Sequence, residues 1–279
     1  MDQKLPSEKL GELFIDRIKF LGIGKLLKPL VFSLLGVKFI DKICKDFIKV
    51  NTEPNVAETI LTGMNVKYEY LPENLEKIPK NGPLIIVANH PYGGIEGIIL
   101  LALLKKVRPD VRLMTSFVLG TIPYLSDYFI LVDSFDRKNS LQNNFKSMRK
   151  ISNWLKKGGL LGIFPAGEVS GYVMKEHKVT DRAWSQKIGS LILKSKCDVQ
   201  CVYFNGRNSN LSILLGFMHS FFRTLWVPRE LKRICNRTIH LKIGDLITAE
   251  TLKSYKSPCD LVRFLRYKTY SLNTKDNNK

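Results

Sequence analysis

The chain has 279 residues, 44% of them hydrophobic, which suits a folded protein with a sizeable core and an appendage. Its 44 Lys and Arg against 25 Asp and Glu leave a net charge of +19, enough to ask for a polyanionic partner: nucleic acid, an anionic membrane or an acidic protein. No helix-turn-helix, zinc-finger or aromatic RNA-binding signature supports nucleic acid, and five cysteines with no Cys-x-x-Cys pair read as reduced thiols rather than disulfides or a metal set.

Met1 to Lys9 shows no apolar core beside a cleavage site, so no signal peptide is expected. No run of about eighteen uninterrupted apolar residues marks a conventional transmembrane helix. Glu8 to Val50 mixes apolar clusters with regularly placed lysines and predicts two or three amphipathic helices, broken near Gly22, Gly24 and Pro29. Pro29 to Val37 is too short to span a bilayer but apolar enough to lie in an interface while Lys25, Lys28 and Lys38 reach lipid phosphates. A helical hairpin packed on the core accounts for the same periodicity.

Val56 to Gly63 predicts a short helix, Val66 to Tyr70 a half-exposed strand, and Pro72 to Pro83 a polar connector. Leu84 to Ala88 is a short apolar run rich in β-branched residues, the pattern of a strand covered on both faces. The chain breaks at Asn89-His90-Pro91, where the proline disfavours helix at His90. Gly93 and Gly94 keep the backbone uncrowded, and Ile95 to Leu104 is an apolar helix closed by Lys105 and Lys106. His90 and Glu96 therefore sit in a turn joining a buried strand to a buried helix, where open α/β sheets gather their chemistry. A histidine there can act as general base, with Glu96 accepting its other ring N–H. No protein nucleophile accompanies the pair, so the nucleophile would be a substrate hydroxyl or amine. Helix capping by His90 and Glu96 is the bland alternative, and spacing alone leaves both open.

Val111 to Ser116 and Asp127 to Val132 predict further strands, and Ser140 to Lys157 a helix stopped by Gly158 and Gly159. Leu160 to Ser170 repeats the buried strand-to-turn unit, with Pro165 and Gly167 turning the chain to present Glu168 near the crevice of His90. Gly171 to Thr180 reads as a polar loop, Ala183 to Lys194 as a helix, and Asp198 to Ser209 as a strand and turn. Leu211 to Val227 is an apolar, aromatic helix suited to the core or to an interface, Ile239 to Gly244 a last alternating strand, and a basic helical tail runs to Tyr270 before a disordered end at Thr274 to Lys279. Strands alternating with helices give an α/β domain with a mixed, mostly parallel central sheet flanked by helices and preceded by an N-terminal amphipathic helical region.

The run His-Pro-Tyr-Gly-Gly-Ile-Glu-Gly from His90 resembles the first signature of the glycerolipid acyltransferase superfamily, in which a His and an Asp separated by four residues form the catalytic pair. Five residues separate His90 from Glu96, and Ile95 stands where the usual Asp would be. That variant is similar to the haemolysin-like branch, which includes acyltransferases for lyso-ornithine and glycine lipids. Phe117 to Tyr124 resembles the second block, whose terminal arginine is replaced by Asp133, with Arg137 as a candidate substitute. Phe164-Pro-Ala-Gly-Glu168 resembles the third block, Phe-Pro-Glu-Gly-Thr-Arg, in its Phe-Pro-x-Gly-Glu form. Ala166 and Val169 replace the usual Glu and Arg, which argues against a phosphate-bearing acceptor. Asn205-Gly-Arg207-Asn208 resembles the fourth block.

The resemblance implies an O-acyltransferase moving a fatty acyl chain from acyl-ACP or acyl-CoA to the hydroxyl of a lysolipid, of the ornithine or glycine lipid type. His90 would be the base, Glu96 its orienting partner, and the N–H groups of Gly93 and Gly94 the oxyanion donors. Pro165, Gly167, Glu168, Arg207, Asn208 and Arg137 would contact substrate. No metal or organic cofactor is expected, because the thioester carries the activation. The resemblance also favours residues 1–62 as a membrane-facing region and 63–279 as the catalytic domain, peripheral on the cytoplasmic face of an anionic membrane, with no nucleic-acid partner. A 1-acylglycerol-3-phosphate acyltransferase, or a non-catalytic membrane-binding protein, is the alternative.

Overall fold

The computed structural model describes Phe39 and residues 55–116, 125–132 and 140–274. The helices expected within 8–50, the second block at 117–124, Asp133, Arg137 and the tail past Thr274 lie outside the described residues. In chain order the elements are α1 (Val56–Gly63), β1 (Lys67–Glu69), α2 (Pro72–Glu76), β2 (Leu84–Ala88), α3 (Ile95–Lys105), β3 (Val111–Ser116), β4 (Phe129–Val132), α4 (Ser140–Lys156), β5 (Leu160–Ile163), β6 (Gly171–Val173) and β7 (Lys178–Thr180). They continue with α5 (Gln186–Ser195), β8 (Asp198–Phe204), α6 (Asn210–Met218), α7 (Ser220–Ile234), β9 (Thr238–Ile247), α8 (Ala249–Lys253) and α9 (Pro258–Thr274).

A seven-stranded sheet runs β1-β9-β8-β2-β5-β3-β4. All neighbours pair parallel except β8 with β9, so β9 and β1 run against the other five. Side chains alternate across β2, and this divides the core in two. Leu84, Ile86 and Ala88 face the layer of α1 and α3, while Ile85 and Val87 face the layer holding Ile151 and Leu155 of α4, Ile188 and Ile192 of α5, and Leu261 and Leu265 of α9. α3 is apolar all round and buried from Ile95 to Leu104, the burial expected of a helix with no polar face. α1, which spans the expected boundary at residue 62, packs Ala57, Ile60 and Leu61 into the first of these cores. At the opposite end of the strands from the site, Arg108 is buried and clamps three loops. It pairs with Asp110 and donates to the carbonyls of Pro79, Gly82 and Gly158.

Three sequence expectations change. The connector at Pro72 to Pro83 begins with a helix, α2, started by Pro72 in its first turn with Leu71 extended before it. The loop expected at Gly171 to Thr180 is the β6–β7 hairpin, turned by a 3₁₀ segment and by His177 in the left-handed region at φ 49°. The single helix expected at Leu211 to Val227 is broken at His219, whose backbone is extended, into α6 and α7. Among the described residues no helix is long and apolar enough to cross a membrane.

Candidate active site

β8, β2 and β5 are parallel neighbours at the centre of the sheet, so their carboxyl ends deliver three loops to one edge. These are Asn89–Gly94, Phe164–Ser170 and Asn205–Ser209, the loops of the first, third and fourth blocks. Asn89 stitches two of them together: its amide donates to Phe204 C=O at 2.9 Å and its carbonyl accepts Phe204 N–H at 2.7 Å. Tyr92 repeats the link through its hydroxyl to Asn205 C=O at 2.8 Å.

His90 is held by its backbone and by its ring. Asp181, just past β7, accepts the His90 N–H at 3.2 Å, and His90 C=O accepts Ser170 N–H at 2.8 Å. Ser170 in turn donates its hydroxyl to the same Asp181 oxygen, closing a ring of bonds around the residue. The imidazole stacks on Phe164 with centroids 4.6 Å apart. Nδ1 lies 2.8 Å from Glu96 Oε1, within ion-pair range. Nδ1 is sealed from solvent, so Nε2 is the nitrogen that can meet a substrate.

Glu96 is 0% exposed and belongs to the first turn of α3, where the helix dipole favours a carboxylate. It folds back over the turn. Oε1 accepts the N–H groups of Tyr92 and Gly93 at 2.8 and 2.9 Å, and Oε2 accepts that of Gly94 at 2.9 Å. The amides of Gly93 and Gly94, the expected oxyanion donors, are thus engaged by Glu96 in this turn. Gly93 is required for another reason, since its φ is +92° and a Cβ there would stand 2.7 Å from Val169.

Burial alone would raise the Glu96 carboxyl, but the adjacent His90 and the amides of Gly93 and Gly94 outweigh it and hold the carboxyl below its usual range. Burial likewise works to lower His90, and the carboxylates of Glu96 and Asp181 overcome it against the opposing charge of Arg223, so the imidazole is raised. The pair thus favours imidazolium beside carboxylate, which is the state a base reaches on accepting a proton.

The remaining candidates divide. Pro165 is buried and accepts Ser185 N–H at 3.0 Å, fixing the start of α5. Gly167 turns at φ +68° in open space. Glu168 meets Arg223 of α7 at 2.6 Å through Oε2 and Arg182 at 3.5 Å through Oε1. Asn208 is buried and donates to Tyr92 C=O at 3.2 Å, so it supports the His90 turn, while Arg207 is exposed and is not drawn into that turn. α7 is fastened to the same loop by Glu230, which accepts Ser209 N–H at 3.0 Å.

Two residues of this site escaped the sequence reading, Asp181 and Arg223. Arg223 left a signal, a lone guanidinium inside the apolar run from Phe217 to Val227. Asp181 left almost none, because a carboxylate after a polar stretch looks like any loop residue.

The chain is similar to proteins named for lipid acyl transfer. The chain is 26% identical to a lyso-glycine lipid O-acyltransferase of Phocaeicola vulgatus over 208 residues, 72% of each chain. It is 22% identical to a protein of the same name from Bacteroides thetaiotaomicron over 240 residues, 83% of this chain and 81% of that one. The crystal structure of the 1-acyl-sn-glycerophosphate (LPA) acyltransferase PlsC from Thermotoga maritima superposes with a TM-score of 0.49 at 14% identity, covering 91% of this chain and 97% of that one. A family model described as Acyltransferase matches residues 38–278, nearly the whole chain, and the protein belongs to that family of acyltransferases.

Proposed function

We propose that the protein transfers a fatty acyl chain from acyl-ACP or acyl-CoA to the hydroxyl of a lysolipid with an amino-acid head group, of the glycine or ornithine lipid type. The observation that carries the chemistry is the buried Glu96 carboxylate 2.8 Å from His90 Nδ1, which leaves Nε2 as a base with a charge partner behind it. The acceptor class is supported by the two relatives named for lyso-glycine lipid and by Ala166 and Val169, which put no charge at two positions of the third block. In the reaction His90 Nε2 takes the hydroxyl proton as the oxygen attacks the thioester carbonyl. Collapse of the tetrahedral intermediate breaks the carbon–sulfur bond, and the imidazolium returns the proton to the leaving thiolate. No metal or organic cofactor enters these steps.

The test is acyl transfer by purified protein from acyl-ACP and from acyl-CoA to lyso-glycine lipid, lyso-ornithine lipid and lysophosphatidic acid. Product from the amino-acid lysolipids is expected. Product from lysophosphatidic acid alone would overturn the acceptor.

An acceptor of this kind resides in a membrane, and we infer that the enzyme docks peripherally on an anionic lipid surface, on its cytoplasmic face. Support comes from the +19 charge and from an apolar patch beside the site. Leu211, Leu214, Phe217 and Met218 lie along one face of α6, at 47 to 65% exposure, and Tyr172 and Met174 extend the patch on the neighbouring β6–β7 hairpin. The exposed bases Lys175 and Arg207 border it in sequence. Leu214→Asp with Phe217→Asp should weaken binding to vesicles containing anionic lipid by roughly a hundredfold or more, since each apolar side chain contributes about 1.5–3 kcal/mol when buried. Unchanged sedimentation with vesicles would exclude this face.

A further inference from the structure

We propose that Arg223, with Arg182 across Glu168, forms a subsite for a carboxylate carried by the acceptor, beside the loop whose Ser170 bonds the His90 backbone. The inference rests on the lysolipid reading above and specifies what part of the acceptor the site recognises.

Arg223 is 3% exposed, and its guanidinium donates to Glu168 Oε2 at 2.6 Å. Room for it is made by two glycines from different elements. A Cβ at Gly171 would stand 2.6 Å from Arg223 Nη1, and a Cβ at Gly216 would stand 2.9 Å from Arg223 Cδ. The slot brings the guanidinium near enough to His90 for its charge to oppose protonation of the ring. A buried cation beside a general base is costly twice over, in lost hydration and in repulsion of the imidazolium that the reaction forms. Fastening α7 to the loop after β5 does not require it, because an apolar pair of similar volume usually serves as well as a buried ion pair.

The charge count points to the ligand. Glu168 contributes one negative charge between two guanidinium groups, since Arg182 Nη1 lies 3.5 Å from its other oxygen, so the cluster carries one positive charge in excess. Arg182 is 57% exposed and forms the open side of the cluster. A single carboxylate neutralises that excess and matches the planar fork of a guanidinium, which binds it through two parallel bonds. A phosphate monoester, with a charge of about −1.5 to −2 near neutral pH, would leave the half-buried site negative. A lysolipid whose amino acid is linked through its amine keeps a free carboxylate at the head and a hydroxyl on the chain, which suits the cation and the base respectively.

The test compares N-(3-hydroxyacyl)glycine with its methyl ester, which lacks the charge and adds one methyl group. Transfer is followed by kcat and KM, and binding is measured separately by calorimetry with unreacting protein lacking the acyl donor. The wild type should prefer the acid over the ester roughly 10- to 100-fold in kcat/KM, the size of charged hydrogen bonds forgone. Arg182→Met should erode that preference, mainly through KM for the acid. Arg223→Met should erode it as well, and because it also removes a charge that opposes protonation of His90, it should lower turnover of acid and ester together on top of that loss. Arg223→Lys, which keeps the charge but not the fork, should restore the preference in part. Arg182→Met lies on the surface, so it serves even if Arg223→Met folds poorly. Equal use of acid and ester by the wild type would overturn the subsite while leaving the acyltransferase reading intact. Tight binding of the acid that is lost in Arg182→Met, without transfer from either thioester, would uphold the subsite and overturn that reading. Equal loss of acid and ester turnover in both methionine variants would overturn the subsite as well.

Discussion

His90→Ala should cut acyl transfer by roughly 10²–10⁴-fold, the range in which a positioned general base contributes. Stability should change little by comparison, because the His90 backbone bonds to Asp181 and Ser170 do not involve its side chain. Glu96→Gln is the more informative partner. It leaves His90 in place but removes the carboxylate that raises it, so burial, the largest influence on the imidazole, then dominates. A base must be neutral to act, so a raised imidazole puts the acid limb of kcat/KM above the ordinary histidine value of 6.5, with activity rising as pH climbs through it. In Glu96→Gln that limb should move downward while the plateau falls by roughly a hundredfold or more, since the imidazolium loses its partner. A plateau within a few-fold of wild type, or a limb that does not move, would show that Glu96 serves only to cap α3.

The parts of this site that were legible in the sequence are those that a strand-to-helix turn writes locally. Leu84 to Ala88 followed by Asn-His-Pro and two glycines specifies a buried strand, a break and a helix start, and β2 and α3 occupy those residues. The same logic recovered the loop holding Glu168 and the strand before Asn208. What the sequence hid is made by contacts between distant residues. The amides of Gly93 and Gly94 looked available for an oxyanion because nothing in the spacing shows that the Glu96 side chain turns back on its own helix start. Arg223 reaches Glu168 across 55 positions, and only the packing of α7 against Gly171 and Gly216 brings them together. The β6–β7 hairpin was missed because its three-residue strands are too short for alternation to stand out among polar residues.

Asp181 draws the longest of these connections and carries the second large expected effect. One oxygen accepts the His90 N–H and the Ser170 hydroxyl, and the other accepts the Trp184 indole N–H at 2.9 Å. The residue is fully buried, so Asp181→Ala would strand three donors away from water. At roughly 1–3 kcal/mol for each unsatisfied group, the loss takes a large share of a stability of about 5–15 kcal/mol. A fall in Tm of roughly 10 °C or more is expected on that basis, since about 1 kcal/mol shifts a domain of this size by roughly 2–4 °C. Asp181→Asn keeps the shape but turns one acceptor into a donor, which must then face either the indole or the His90 N–H, so it too should be destabilised, by less. Its pH profile separates scaffolding from electrostatics. With the Asp181 charge gone, an influence that raises His90 disappears, and the acid limb of kcat/KM should shift downward even in the fraction that folds. A Tm within about 2 °C of wild type for Asp181→Ala would refute the clamp. A destabilised Asp181→Asn with an unmoved acid limb would confine Asp181 to holding the turn, with Glu96 alone setting the charge at His90.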